Sequence, residues 1–88
     1  MNGFFHLKFK PNNLAKNQFK IVVSLKVSKK AVVRNKIKRR IREVLKQLDI
    51  KQGYDIVIIT HNEILGKNFI EIKNAIAGKI SKLLTANH

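Results

Sequence analysis

Ten lysines and arginines lie between Lys26 and Lys46, and Glu43 is the only acid among them. Ten cations less one acid give +9 of the chain's formal +14. Arg34, Arg39, Arg40 and Arg42 fall close together within this stretch. A guanidinium is a planar fork that can grip a phosphate at two oxygens at once. Such residues recognise a polyanion; they do not break bonds. Nucleic acid is the leading candidate partner.

Catalytic constellations are scarce. The acids are Glu43, Asp49, Asp55, Glu63 and Glu71, and the histidines are His6, His61 and His88. No H-x-x-x-H, D-x-D or G-x-G-x-x-G spacing occurs. Glu43 and Asp49 are too far apart in sequence to meet on one helix face. His61, between Thr60 and Glu63, is a nominal general base, but it reads more simply as a solvated loop histidine. The chain has no cysteine, so it has no disulfide, cysteine zinc site or thiol nucleophile. No residue is assigned a catalytic or metal-binding role.

The basic residues must be positioned by some element. Val33, Ile37, Ile41, Val44, Leu45 and Leu48 predict a helix over Val32–Leu48. At 100° per residue they fill an arc of about 120°, the width of a core-facing stripe. Arg34 and Lys38 border that stripe on one side and Arg40 on the other. Asn35, Arg39, Arg42 and Lys46 lie nearly opposite it. A merely soluble helix would alternate Lys with Glu at i, i+4; here Arg34, Lys38 and Arg42 repeat like charge at that spacing. Asn35 is expected in the first turn, near the positive end of the helix dipole, where an anion is welcome.

Strands flank this helix. Phe4–Lys10 alternates, with Phe5, Leu7 and Phe9 on one face and Phe4, His6, Lys8 and Lys10 on the other. An aromatic ring interleaved with cations can stack an unpaired base, so Phe4 is a candidate contact. Pro11-Asn12-Asn13 signals a turn. Phe19–Leu25 predicts a second strand, with Phe19, Ile21, Val23 and Leu25 facing inward and Lys20 facing out. The short linker suggests antiparallel pairing of the two strands. Tyr54–Thr60 has an apolar centre that does not alternate, as expected for a central strand covered on both faces and parallel to a neighbour. Asn68 and Glu71 resemble a capping box. A second helix should follow to about Leu84, burying Phe69, Ile72, Ile76, Ile80 and Leu83. The order is β-β-α-β-α, a small α+β domain spanning residues 1–88.

Composition narrows the class further. A chain of 88 residues buries only about 60–65% of its extended surface. Its 44% hydrophobic content is that of a globular domain despite the charge. The longest apolar runs, Ile56–Ile59 and Ile21–Val23, are far below the roughly 20 residues of a membrane span. No apolar signal core opens the chain. A cytoplasmic protein without a membrane partner is expected. A membrane-surface helix would present Trp, Phe or Leu; the Val/Ile/Leu stripe suits packing on a sheet.

Val23-Ser24-Leu25-Lys26-Val27-Ser28-Lys29-Lys30-Ala31-Val32-Val33-Arg34-Asn35-Lys36-Ile37-Lys38-Arg39-Arg40-Ile41-Arg42-Glu43 closely resembles the signature of the bacterial ribonuclease P protein subunit family. That signature reads S-x-K-V, then A-V-x-R-N-[RK]-x-K-R-x-x-R. The resemblance extends from about Phe4 to Leu84. It implies an α/β sandwich, ribosomal S5 domain 2-like, with a left-handed βαβ crossover. It also implies an accessory role: the RNA subunit, with Mg²⁺ as cofactor, removes the 5′ leader of precursor tRNA, while the protein docks on that RNA and holds the leader on its sheet. By position, Arg34, Asn35, Lys36, Lys38, Arg39 and Arg42 match the family's RNA-facing helix, and Lys26, Lys29 and Lys30 match the loop before it. Arg40 and Lys46 join them as candidate RNA contacts. Phe4, His6, Lys8 and Lys10 are the candidate leader cleft.

Two departures stand out. Lys36 replaces the more usual Arg, exchanging a fork for a point charge. Leu25 replaces a common Lys and is expected to face the core. The chain also opens almost at the first strand, where family members have a further helix. Without that helix the sheet face should lie bare and apolar, favouring self-association. The rival reading is a ribosomal or ribosome-assembly protein that uses the same helix on ribosomal RNA. A stand-alone nuclease is disfavoured by the missing acid–base groups.

Overall fold

A computed structural model describes residues 3–48 and 50–83. Strand β1 spans Phe5–Pro11, β2 Gln18–Val22 and β3 Tyr54–Thr60; helix α1 spans Ala31–Gln47 and α2 Phe69–Leu83. A 3₁₀ turn, Asn62–Gly66, joins β3 to α2. Asp49, Leu84, His88 and the side chain of Leu83 lie outside the described residues.

The sheet has the order β1-β3-β2. β1 pairs antiparallel to β3 and β2 pairs parallel to it. The expected β1–β2 pairing is therefore corrected: the two run in opposite directions, but β3 lies between them. The reason is compositional. Ile56–Ile59 is the most continuously apolar run and takes the centre, while the lysine-bearing β1 and β2 take the edges, where charge discourages further pairing. The link from β1 to β2 crosses the end of β3, two strand spacings or about 10 Å.

Asparagines fasten that crossing. The Asn12 backbone N–H donates to Gly53 O at 2.9 Å, and Asn12 Nδ2 donates to Asp55 Oδ1 at 3.0 Å. Asn17 Nδ2 donates to Lys51 O at 2.9 Å, and Asn17 Oδ1 accepts from the Tyr54 N–H at 2.8 Å. Gly53 has φ +95°, a backbone conformation that favours glycine. It turns the chain into β3 beneath this loop.

Register divides the sheet into two faces. Phe5, Leu7 and Phe9 align with Thr60, Ile58 and Ile56, and Phe19 and Ile21 align with Ile56 and Ile58. This is the helix-covered face. Ile56 and Ile58 on it are fully buried, in one core with Ile37, Ile41, Val44 and Leu45 of α1 and Ile72, Ile76 and Ile80 of α2. Thr60 is the buried polar residue among those described; its Oγ1 donates to Val22 O at 2.9 Å. Coverage fails at the sheet's lateral ends, where Phe9 and Phe19 are 40% and 42% exposed.

β2 ends at Val22, three residues earlier than expected, and Ser24–Val27 forms a turn. Leu25 is consequently 66% exposed rather than core-facing, and Val27 fills the core in its place. The alternating pattern ran on past the point where the Val27 N–H bonds back to Ser24 O at 3.0 Å.

Candidate nucleic-acid interface

Helix α1 presents the predicted stripe to the core: Ile37, Ile41, Val44 and Leu45 are buried, and Val33 and Leu48 are half-buried. Arg34, Lys38 and Arg40 are half-buried along its borders. Their stems can cover apolar surface while the head groups reach water. Asn35, Lys36, Arg39, Arg42 and Lys46 are exposed, as are Lys26, Lys29 and Lys30 before the helix. The helix starts at Ala31, so Asn35 stands in its second turn rather than the first.

The start of α1 is built without the usual protections. Lys30 is the N-cap and makes no side-chain capping bond, and the first turn has no acid. The preceding loop is instead held by serines. Ser24 Oγ accepts from the Lys26 N–H and Ser28 Oγ from the Lys30 N–H, both at 3.2 Å. Arg34 Nη1 donates to Ser28 O at 2.9 Å, drawing the loop onto the helix. A helix start without a side-chain cap, its positive dipole end and clustered cations together form a strongly anion-attracting corner.

Among the described residues, no helix packs on the second sheet face. Register places His6, Ile59 and Val22 in one row, Lys8, Val57 and Lys20 in the next, and Lys10, Asp55 and Gln18 in the third. Val57 and Ile59 are half-buried, while His6, Lys8, Lys10 and Lys20 are exposed. The result is an apolar floor between two cationic edges. It corrects two expectations at once: β3 is not covered on both faces, and the bare face is cationic rather than a plain apolar surface. A hollow of about 310 Å³ opens among Lys8, Phe9, Lys10, Asp55 and Val57.

Phe4 does not join this face. β1 begins only at Phe5, and the Phe4 carbonyl accepts from the His61 N–H at 2.9 Å. Its ring is buried, 5.4 Å from the ring of Phe5, with Lys67 Nζ 5.6 Å from its centroid. In this position it cannot stack a base, and the candidate cleft reduces to His6, Lys8 and Lys10 with Lys20 opposite. Sequence reasoning missed Val57 and Ile59 as the cleft floor and the asparagine clasp at its end. Both depend on the strand order.

Among the described residues, no group of three or more His, Cys, Asp or Glu could hold a metal ion. His61 and Glu63 are exposed. No helix among the described residues is long and apolar enough to cross a membrane.

Comparison with known proteins agrees with this arrangement. The family model for ribonuclease P matches residues 1–84. The ribonuclease P protein component of Synechocystis sp. is 51% identical over 55 residues, 60% of this chain and 44% of that protein. The Thermoanaerobacter sp. component is 35% identical over 83 residues, 92% of this chain and 71% of that protein. The chain thus spans less than half the length of the first relative and about 71% of the second. The Thermotoga maritima RNase P protein structure superposes with a TM-score of 0.84 at 27% identity, over 94% of this chain and 80% of that one. The Staphylococcus aureus RNase P protein gives 0.77 at 31% identity, over 94% and 76%. With its basic helix, its bare sheet face and matches along nearly its whole length, the chain belongs to the ribonuclease P protein family.

Proposed function

We propose that this chain is the RNA-binding protein subunit of a ribonuclease P ribonucleoprotein and assists the RNA subunit in removing the 5′ leader of precursor tRNA. The observation that carries this reading is α1: one helix buries an apolar stripe and turns Asn35, Lys36, Arg39, Arg42 and Lys46 to solvent. Its role is to neutralise phosphates and position RNA. In this reading the RNA subunit carries the bond-breaking step and its Mg²⁺, and the protein's part is to hold RNA in place. The cationic sheet face is suited to a second RNA segment, the leader strand. Its lysines repel a second copy of the same face, so a polyanion is the better partner there than self-association.

The test is precursor-tRNA cleavage by a bacterial ribonuclease P RNA at low Mg²⁺, with and without the chain. The expected result is site-specific cleavage restored by the protein and none by the protein alone. Cleavage without the RNA subunit, or no stimulation together with co-sedimentation on ribosomes, would overturn the proposal.

A further inference from the structure

We propose that the notch between the β2 edge and α1 is a nucleotide subsite, with one unpaired base stacked on Phe19 and its phosphate held by Arg42 and Lys46. This rests on the RNA-binding reading above and adds a residue to it. The sequence pattern assigns Phe19 to the core, on the same strand face as Ile21. Ile21 is 7% exposed, yet Phe19 is 42% exposed. α1 runs alongside but does not close over the ring. A hollow of about 320 Å³ remains, lined by Phe19, Leu45, Arg42 and Lys46. Leu45 is buried and gives this hollow a dry floor.

The cations fit the same occupant. Arg42 and Lys46 are i and i+4 on α1, about 5–6 Å apart at their Cβ atoms. Both therefore flank one side of the notch, within reach of a single phosphodiester. An aromatic platform with cations around it is the arrangement that holds single-stranded nucleotides without reading their sequence. The plainer role for Phe19 is to shield Leu45 from water. Leucine would serve that role equally well but would not stack a base, and this difference separates the two.

The experiment compares the full wild-type chain with Phe19→Leu, Phe19→Tyr and Arg42→Ala. One arm measures binding to a bacterial ribonuclease P RNA over a range of salt. The other measures binding of precursor tRNA, with and without its leader, to the reconstituted complex. Phe19→Leu is expected to weaken one arm about tenfold, with the salt slope and thermal midpoint unchanged. Phe19→Tyr should retain binding. Arg42→Ala should lower the slope by about one, and its loss should be less than additive with that of Phe19→Leu because both hold one nucleotide. A loss with RNA alone assigns the nucleotide to the catalytic RNA; a loss confined to leader-bearing substrate assigns it to the leader. Should Phe19→Leu perturb folding, photo-crosslinking of the wild-type chain to 4-thiouridine RNA reads the same contact, and no crosslink at the Phe19 peptide refutes it. Unchanged binding of Phe19→Leu in both arms, with Arg39→Ala still weakened, overturns the subsite and leaves the functional reading standing. Wild-type binding no better than to an unrelated RNA overturns both.

Discussion

The two helices share one core but follow opposite rules at their surfaces. α2 begins with a complete capping box: Asn68 Oδ1 accepts from the Glu71 N–H at 2.9 Å, and Glu71 Oε1 accepts from the Asn68 N–H at 3.1 Å. An acid sits in its first turn and Lys82 in its last, as the helix dipole favours. α1 has no side-chain cap, no first-turn acid and cations repeated at i, i+4. α2 is thus organised for the stability of the free protein. α1 accepts strain that an anionic partner would relieve. Local rules broken on one element and kept on its neighbour mark where function resides.

The comparison first requires that the two helices be equal inside. Ile41 and Ile76 are both fully buried, so Ile41→Ala and Ile76→Ala should each destabilise the domain by about 2–5 kcal/mol. Urea titration of the free protein measures both. A much smaller loss for Ile41→Ala would mean that α1 is only loosely docked, and its poor capping would then reflect weak folding rather than a binding role. Outside the core the helices should diverge. Arg39→Ala or Arg42→Ala should weaken RNA binding about tenfold and flatten the log–log salt dependence by about one unit per lost phosphate contact. Lys79→Ala on exposed α2 should change neither. Equal losses from both helices would replace a specific face with a diffuse charge effect.

Much of this contrast was legible beforehand. The α1 stripe, its basic outer face, the β3 run and the Asn68–Glu71 box are all local patterns, and each stands where spacing put it. What depended on distant parts of the chain was not legible. The insertion of β3 between β1 and β2 sets which rows meet on the open face, and no window around Lys8 or Lys20 contains Val57. The asparagine clasp fails the same test, since Asn17 and Tyr54 are partners only because the loop crosses β3. Strand periodicity also misled at its ends. Phe4 precedes the first paired residue, Leu25 follows the last, and neither obeys the alternation of the strand it adjoins. Phe19 lies within the pattern, but whether α1 covers it depends on helix placement, which periodicity cannot report.

Capping offers a smaller and more discriminating pair of changes. Asn68→Ala removes the α2 cap bond and should lower stability by about 1 kcal/mol with RNA affinity retained. Lys30→Asp supplies α1 with the cap it lacks and a favourable charge at its dipole. It should raise stability by about 0.5–1 kcal/mol while reducing RNA affinity. Thermal melts and filter binding on the same samples check both halves. Lys30→Asp with unaltered RNA binding would remove the α1 N-terminus from the interface.

The smallest effect probes the strain directly. Each like-charge pair at i, i+4 on α1 destabilises the free helix by a few tenths of a kcal/mol. Salt screens exposed charges over a Debye length of about 10 Å at 0.1 M and about 3 Å at 1 M. The free protein should therefore become more stable between these concentrations in sodium chloride, whereas RNA binding weakens over the same range. The two opposite salt responses share one origin, the cationic face of α1, so Arg42→Ala, which removes the like-charge pairs with Lys38 and Lys46, should diminish both together. A variant that lost salt-dependent binding but kept the full salt stabilisation would show that the repulsion arises elsewhere on the chain. α1 would then be a binding face that carries no strain of its own.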